Sequence, residues 1–265
     1  MSSQFFPLLR NELTKATRRK LPLFGIFAMA LLALVVHLAV GQLGGAATAN
    51  GWGYVAFSMQ LLFTDLGPIF VINFAALLLA QETGIGTIRA TLAAPVQRWE
   101  LYLAKAATGV LYMMVLSLAA LLFSVALAKI HFGFGPIGDS FGVIYERKTA
   151  LREFLIGYVL SWIPLTALVM FGLFMSTIVR TPGAAASVST GAFFILEFTK
   201  KLIGLEPYIF TKDISYPWVV LLQMAQGMDC QWQPDVWRML LLSGTFALIA
   251  FGAGLAIFVR QDLNH

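Results

Sequence analysis

Cysteine, histidine and charge are all scarce in this sequence. Its 265 residues include one cysteine, Cys230, and three histidines. A single cysteine excludes an internal disulfide, and so few soft ligands exclude a cysteine-rich metal site. Only 12% of the residues are charged, where soluble domains carry about 25%. No Gly-Lys-Ser/Thr triplet closes a phosphate-cradling loop; Gly84-Ile85-Gly86-Thr87 comes nearest and lacks the lysine, so ATPase chemistry is not expected in this chain. No basic stripe with interleaved aromatics accompanies the net charge of +5, which removes nucleic acid as the partner it serves. Internal repeats and low-complexity tracts are missing as well.

What fills the chain instead is apolar surface. Hydrophobic residues make up 59% of it and the mean hydropathy is +0.81. A soluble core of this size cannot hide that much, so lipid is the solvent for most of it. A span needs about 20 largely apolar residues, and runs of that kind fall near 21–43, 54–80, 106–127, 154–178, 183–199 and 239–259. The reading is an all-α polytopic membrane protein with six transmembrane helices, residues 1–265 forming a single transmembrane domain. Ala47-Thr48-Ala49 resembles a signal-peptide cleavage site, but the preceding run is too long for an h-region of about 7–15 residues. It reads as a first span.

Ahead of that span, Phe5, Phe6, Leu9, Leu13 and Ala16 recur at helical spacing, while Arg10, Lys15, Arg18, Arg19 and Lys20 occupy the rest. This is the pattern of an amphipathic helix in the membrane interface. Between the fifth and sixth runs, Trp218 to Ala225 is apolar but too short to cross, which suggests an interfacial or re-entrant piece. Trp218, Trp232 and Trp237 suit the headgroup level.

An even number of spans places both termini on one side. That side gathers Arg10, Lys15, Arg18, Arg19, Lys20, Arg89, Arg98, Lys105, Arg180 and Arg260 against Glu12, Glu82, Glu100 and Asp262. On the far side, acids and bases balance. Basic excess in short loops marks the cytoplasmic side, so a multi-pass protein of the cell membrane with cytoplasmic termini is expected.

Several positions are candidates for chemistry. Asp65 interrupts an apolar run, and an intramembrane carboxylate is a functional candidate by default. With Pro68 three residues on, it reads rather as the outer end of the second helix and the start of its buried part. Asn73 is placed to bond across a helix interface or line a cavity. Glu197, beside Lys200 and Lys201, reads as an interface anchor, and His37 as a packed core residue. The small residues from Gly183 through Ser187 and Ser189 to Gly191 give the fifth helix a face that permits close packing. A secondary transporter would use Asp65 and Asn73 as ion ligands, though such folds often show internal repeats. An intramembrane protease would need Ser187 or Ser189 opposite His37, and nothing positions that pair.

The stretch from Gln81 to Lys105 carries most information. Gly84 and Gly86 end the second span and free the backbone for a turn. Thr87 to Ala94 can form two helical turns, Pro95 stops them, and Trp99, Leu103 and Ala106 restart a helix. A short cytoplasmic helix between two spans can transmit force from a soluble partner or merely connect. Glu82, Gly86-Thr87, Leu92, Pro95, Arg98 and Lys105 stand as in the signature loop of the type-2 ABC exporter permeases, which this segment resembles. The opening Leu8-Leu9-Arg10-Asn11-Glu12-Leu13-Thr14-Lys15 is similar to that family's N-terminal helix.

The resemblance implies a half-transporter. Two subunits, identical or different, would form the pathway, with the fifth helix near their interface at Ser187. Each would dock its cytoplasmic helix on a separate ATP-binding cassette subunit, which would hold ATP and Mg. Coupling would fall to Glu82, Gly86, Thr87, Arg89, Pro95, Arg98 and Lys105: Glu82 capping or pairing with basic residues, Arg89 and Arg98 touching the ATPase. No catalytic residue and no metal ligand is expected in this chain. The 22 phenylalanines and the scarcity of intramembrane charge favour an amphiphilic cargo, although core packing accounts for the phenylalanines equally well.

Overall fold

The computed structural model describes residues 5–43, 50–86, 97–139, 142–204, 208–233 and 235–261. Helix α1 (Phe5–Arg18) leads directly into α2 (Lys20–Leu43). The second run is one long helical path: α3 (Gly51–Leu61), a π turn (Leu62–Leu66) and α4 (Gly67–Ile85). Then come α5 (Arg98–His131), a hairpin of β1 (Ile137–Asp139) and β2 (Gly142–Tyr145), α6 (Arg147–Ile178) and α7 (Pro182–Leu202). A 3-10 turn (Phe210–Ile214), α8 (Tyr216–Ala225) and α9 (Asp235–Arg260) complete the order.

Among the described residues, five helices are long and apolar enough to cross a membrane: the parts of α2 and α4 at Lys20–Val40 and Gly67–Gly84, and α5, α6 and α9 whole. Helix α7, the expected fifth span, forms but is not among them. Ser187, Ser189, Thr190, Glu197 and Lys200 dilute its apolar character. Large apolar side chains such as Leu23, Phe27, Leu38, Leu122, Leu155, Leu241 and Leu248 stand exposed around the bundle. Lipid is the solvent that suits them. Helix α6 packs most extensively against α9 and α4, and its Gly172 makes the second contact close, because a Cβ there would sit 2.7 Å from the Ile72 carbonyl oxygen.

Three expectations change. Helix α5 begins before and ends after the apolar window 106–127, and α6 begins before the window 154–178, because charged helical turns continue the apolar runs. Asp65 does not start the buried part of the second run: residues from Gly51 through Ala56 are already buried, and the backbone of Asp65 lies within the π turn inside that run. The piece expected to be interfacial or re-entrant is α8, packed under α3 and α6 with Trp218 only 1% exposed. Trp232 likewise has a protein partner, donating from Nε1 to Glu153 Oε2 at 2.9 Å, whereas Trp237 is exposed.

The end of the bundle opposite α1 is tied by polar contacts. The Asn50 side chain caps α3 at Gly53 N–H (2.8 Å) and donates to the Ala225 carbonyl (2.9 Å), holding α3 to α8. Trp52 donates to the Gly135 carbonyl, and the Tyr145 hydroxyl bonds Met228 O and Cys230 N. The hairpin, unforeseen in the sequence, is thereby fastened to the segment after α8.

Candidate functional site

At the α1 end, four ionisable side chains from three elements converge. On α1, Glu12 follows Leu8 by four residues, so the two share a face, and both are buried. Lys15 lies one turn on. Glu82 comes from the last turns of α4, and Lys105 from the third turn of α5. Lys105 is 0% exposed and Glu12 and Glu82 are 3% and 4% exposed.

The Lys105 ammonium spends its three protons on Glu12 Oε2 at 2.8 Å, the Leu78 carbonyl at 2.9 Å and Glu82 Oε1 at 3.0 Å. Lys15 donates to Glu12 Oε1 at 2.7 Å and Glu82 Oε1 at 2.9 Å. Two cations and two carboxylates make the group neutral, which is the condition for taking ions out of water at tolerable cost. Burial alone would lower the Lys15 pKa, but its bonds to Glu12 and Glu82 and their charges outweigh that and raise it. A raised lysine pKa contributes stability that is whole below the ordinary value of 10.5 and is lost as pH rises through the folded one. The contribution of Lys15 is therefore whole at neutral pH.

Around it the helix ends are laced together. Arg98, expected to touch the ATPase, bonds carbonyls at the end of α9, at Val259 (3.0 Å) and Gln261 (2.6 Å). A cation suits that position, since helix C-termini carry unpaired carbonyls and partial negative charge. The Gln261 amide donates to the Thr177 carbonyl at 2.7 Å, and the Thr83 hydroxyl lies 3.0 Å from the Arg180 carbonyl it bonds. Gly86 closes α4 in the left-handed conformation at φ 77°, the geometry that favours glycine. The stretch that follows, 87–96, lies outside the described residues, and with it Thr87, Arg89, Pro95 and the expected helix at Thr87–Ala94. What is described is its two abutments, the end of α4 and the start of α5, both held by the quartet.

The remaining candidates are elsewhere. Asn73 donates to the Ile69 carbonyl and accepts from Thr190 at 3.2 Å, linking α4 to α7. Beside it, Ser176 of α6 accepts from the backbone N–H groups of Leu79 (3.1 Å) and Ala80 (2.9 Å). Ser187 is exposed on α7, and Glu197 pairs with Lys200 at 2.6 Å. His37 bonds the Tyr54 hydroxyl at 3.0 Å and stacks on His131, far from Ser187 and Ser189 in any shared contact among the described residues. No group of three or more His, Cys, Asp and Glu among those residues could hold a metal ion.

Sequence reasoning missed Glu12 as a member of the quartet. Its signal was an acid in the apolar register of an amphipathic helix, four residues after Leu8. It also missed Ser176 and the pairing of Asp213 with Arg238 (3.2 Å) beneath α9, which depend on contacts between distant segments.

A bundle of long apolar helices with large apolar side chains exposed around it defines an integral membrane protein. Comparison with protein families makes this specific: the chain belongs to the ABC-2 family transporter proteins, whose family model matches residues 8–190. It is thus a membrane permease of an ABC transporter. That match spans most of α1, the quartet, segment 87–96 and the first part of α7. A search of curated proteins finds no match.

Proposed function

We propose that this chain is the membrane-spanning subunit of an ABC exporter, working as a dimer and driven by ATP-binding subunits on separate polypeptides. The observation that carries the reading is the buried quartet, which clamps both abutments of segment 87–96 to α1. A push on that segment from a closing ATPase would reach α1, α4 and α5 together, because all three meet at Glu12, Lys15, Glu82 and Lys105. In this reading Arg89 contacts the ATPase, Gly86, Thr87 and Pro95 shape the segment, and Arg98 relays its movement to the end of α9. ATP and Mg stay with the partner. Both termini lie on the cytoplasmic side of the cell membrane. The family membership speaks against a secondary transporter built on Asp65 and Asn73.

The test is co-purification of the tagged full chain in mild detergent. An ATP-binding partner with nucleotide hydrolysis is expected to come with the wild type and to be lost from Arg89→Glu, while the variant keeps its own thermal unfolding profile. A wild-type chain that purifies alone and without ATPase activity would sink the proposal.

A further inference from the structure

Where α1 turns into α2, the two helices and α5 leave a cleft of about 200 Å³ between them. Its wall is almost wholly apolar, built from Leu13, Ala16, Ile26, Leu111, Tyr112 and Val115. Leu23, a further lining residue, is 63% exposed, and Phe24 and Phe27 stand exposed next to it on α2. The cleft therefore opens sideways towards hydrocarbon rather than towards water. Between two of its lining residues, Thr17 and Pro22, the joint between the helices carries three successive cations, Arg18, Arg19 and Lys20, of which Arg18 and Lys20 are exposed. None of the three is in an ion pair among the described residues, whereas Lys15, one turn earlier, is held by Glu12 and Glu82.

We propose that this crook holds one anionic phospholipid, its phosphate on Arg18, Arg19 and Lys20 and an acyl chain in the cleft. Two features select that occupant. An apolar slot reached from the membrane side takes an acyl chain in preference to a soluble ligand. Three unpaired cations at the membrane surface attract an anionic headgroup, each adding to the affinity for acidic lipid. A zwitterionic lipid has the chain but not the net charge, so the site discriminates between headgroups. The bound lipid would brace α1 through Leu13 and Ala16, beside the face that carries Glu12 and Lys15. This inference goes beyond the transport reading and does not depend on it.

The experiment is native mass spectrometry of the delipidated full chain, titrated with phosphatidylglycerol or phosphatidylcholine of identical acyl chains. One phosphatidylglycerol per chain is expected to be retained, with affinity about tenfold or more above phosphatidylcholine. The triple variant Arg18→Ala, Arg19→Ala, Lys20→Ala is expected to bring phosphatidylglycerol down to the phosphatidylcholine level. Ala16→Trp, which fills the cleft, is expected to abolish retention of both. Equal retention of the two lipids by the wild type, or unchanged selectivity in the triple variant, overturns the proposal. The triple variant alters only residues without ion-pair partners in the described structure, so it decides the matter even if Ala16→Trp does not fold. Neither readout involves an ATPase.

Discussion

Lys105 is the residue on which the α1 end depends. Its ammonium is buried among three protein acceptors, and two of these are carboxylates that would otherwise be buried ions. Lys105→Met removes the cation and leaves Glu12 and Glu82 sharing only Lys15. Breaking a buried pair by deleting one partner costs about 3–5 kcal/mol, and unfolding of the purified variant in detergent should show a loss of that order. Adding Glu12→Gln should restore part of it by returning the cluster to neutrality. The same assay run to alkaline pH should find the wild type losing stability only above the ordinary lysine pKa, as Lys15 deprotonates. Equal stability of wild type and Lys105→Met would mean that the cluster holds nothing together. The sequence displayed Glu82 and Lys105 because both flank apolar runs, where a charge stands out. Glu12 was hidden among the other charges of α1, and only the helix phase it shares with Leu8 reveals which way it faces.

At the scale of elements, the interface of α4 and α6 combines close approach with unusual hydrogen bonding. Gly172 lets the α6 backbone come near Ile72 and Ala75, and one turn later Ser176 reaches the amides of Leu79 and Ala80. Gly172→Leu should prise these helices apart, since overpacking of a close contact costs about 1–3 kcal/mol or more. A lowered melting temperature with early loss of the detergent-solubilised monodisperse peak is the expected result; an unchanged melt would show that the contact is dispensable. The spans themselves were legible because a run of about 20 apolar residues has few alternatives to crossing a bilayer. Hydropathy reports the solvent, however, and not where a helix ends, so the charged turns at Arg147–Glu153 fall outside the apolar window 154–178 although they are helical, while Trp99 and Leu103 did mark the restart of α5. Trp218 read as a headgroup anchor because an isolated tryptophan in a polar connection usually is one. Its burial follows from α3 packing against α8, a contact between distant segments that local sequence does not record. The hairpin was equally silent, its strands being three and four residues long.

For the whole molecule, the distribution of exposed surface bears on assembly. Gly183 and Gly191 of α7 have open space where a Cβ would project, and Ser187 between them is exposed. Small residues on an uncovered helix face allow a second helix to approach closely, which agrees with a subunit contact there. With Cys230→Ser to remove the native thiol, Ser187→Cys should crosslink to a second copy in native membranes under mild oxidation. A cysteine at Leu122, exposed on α5, should not. Crosslinking at both positions or at neither would place the dimer contact elsewhere.

The neutrality of the quartet has a consequence for how the chain is made. Glu12, Lys15 and Glu82 are synthesised before Lys105, and together they carry one negative charge too many. A nascent chain holding only α1 to α4 therefore keeps an uncompensated carboxylate at the place where the finished protein has none. Its N-terminal helix can settle into final contact only after the following span has been delivered. The order of residues along the chain thus doubles as an order of assembly, in which α5 locks what the earlier helices leave open.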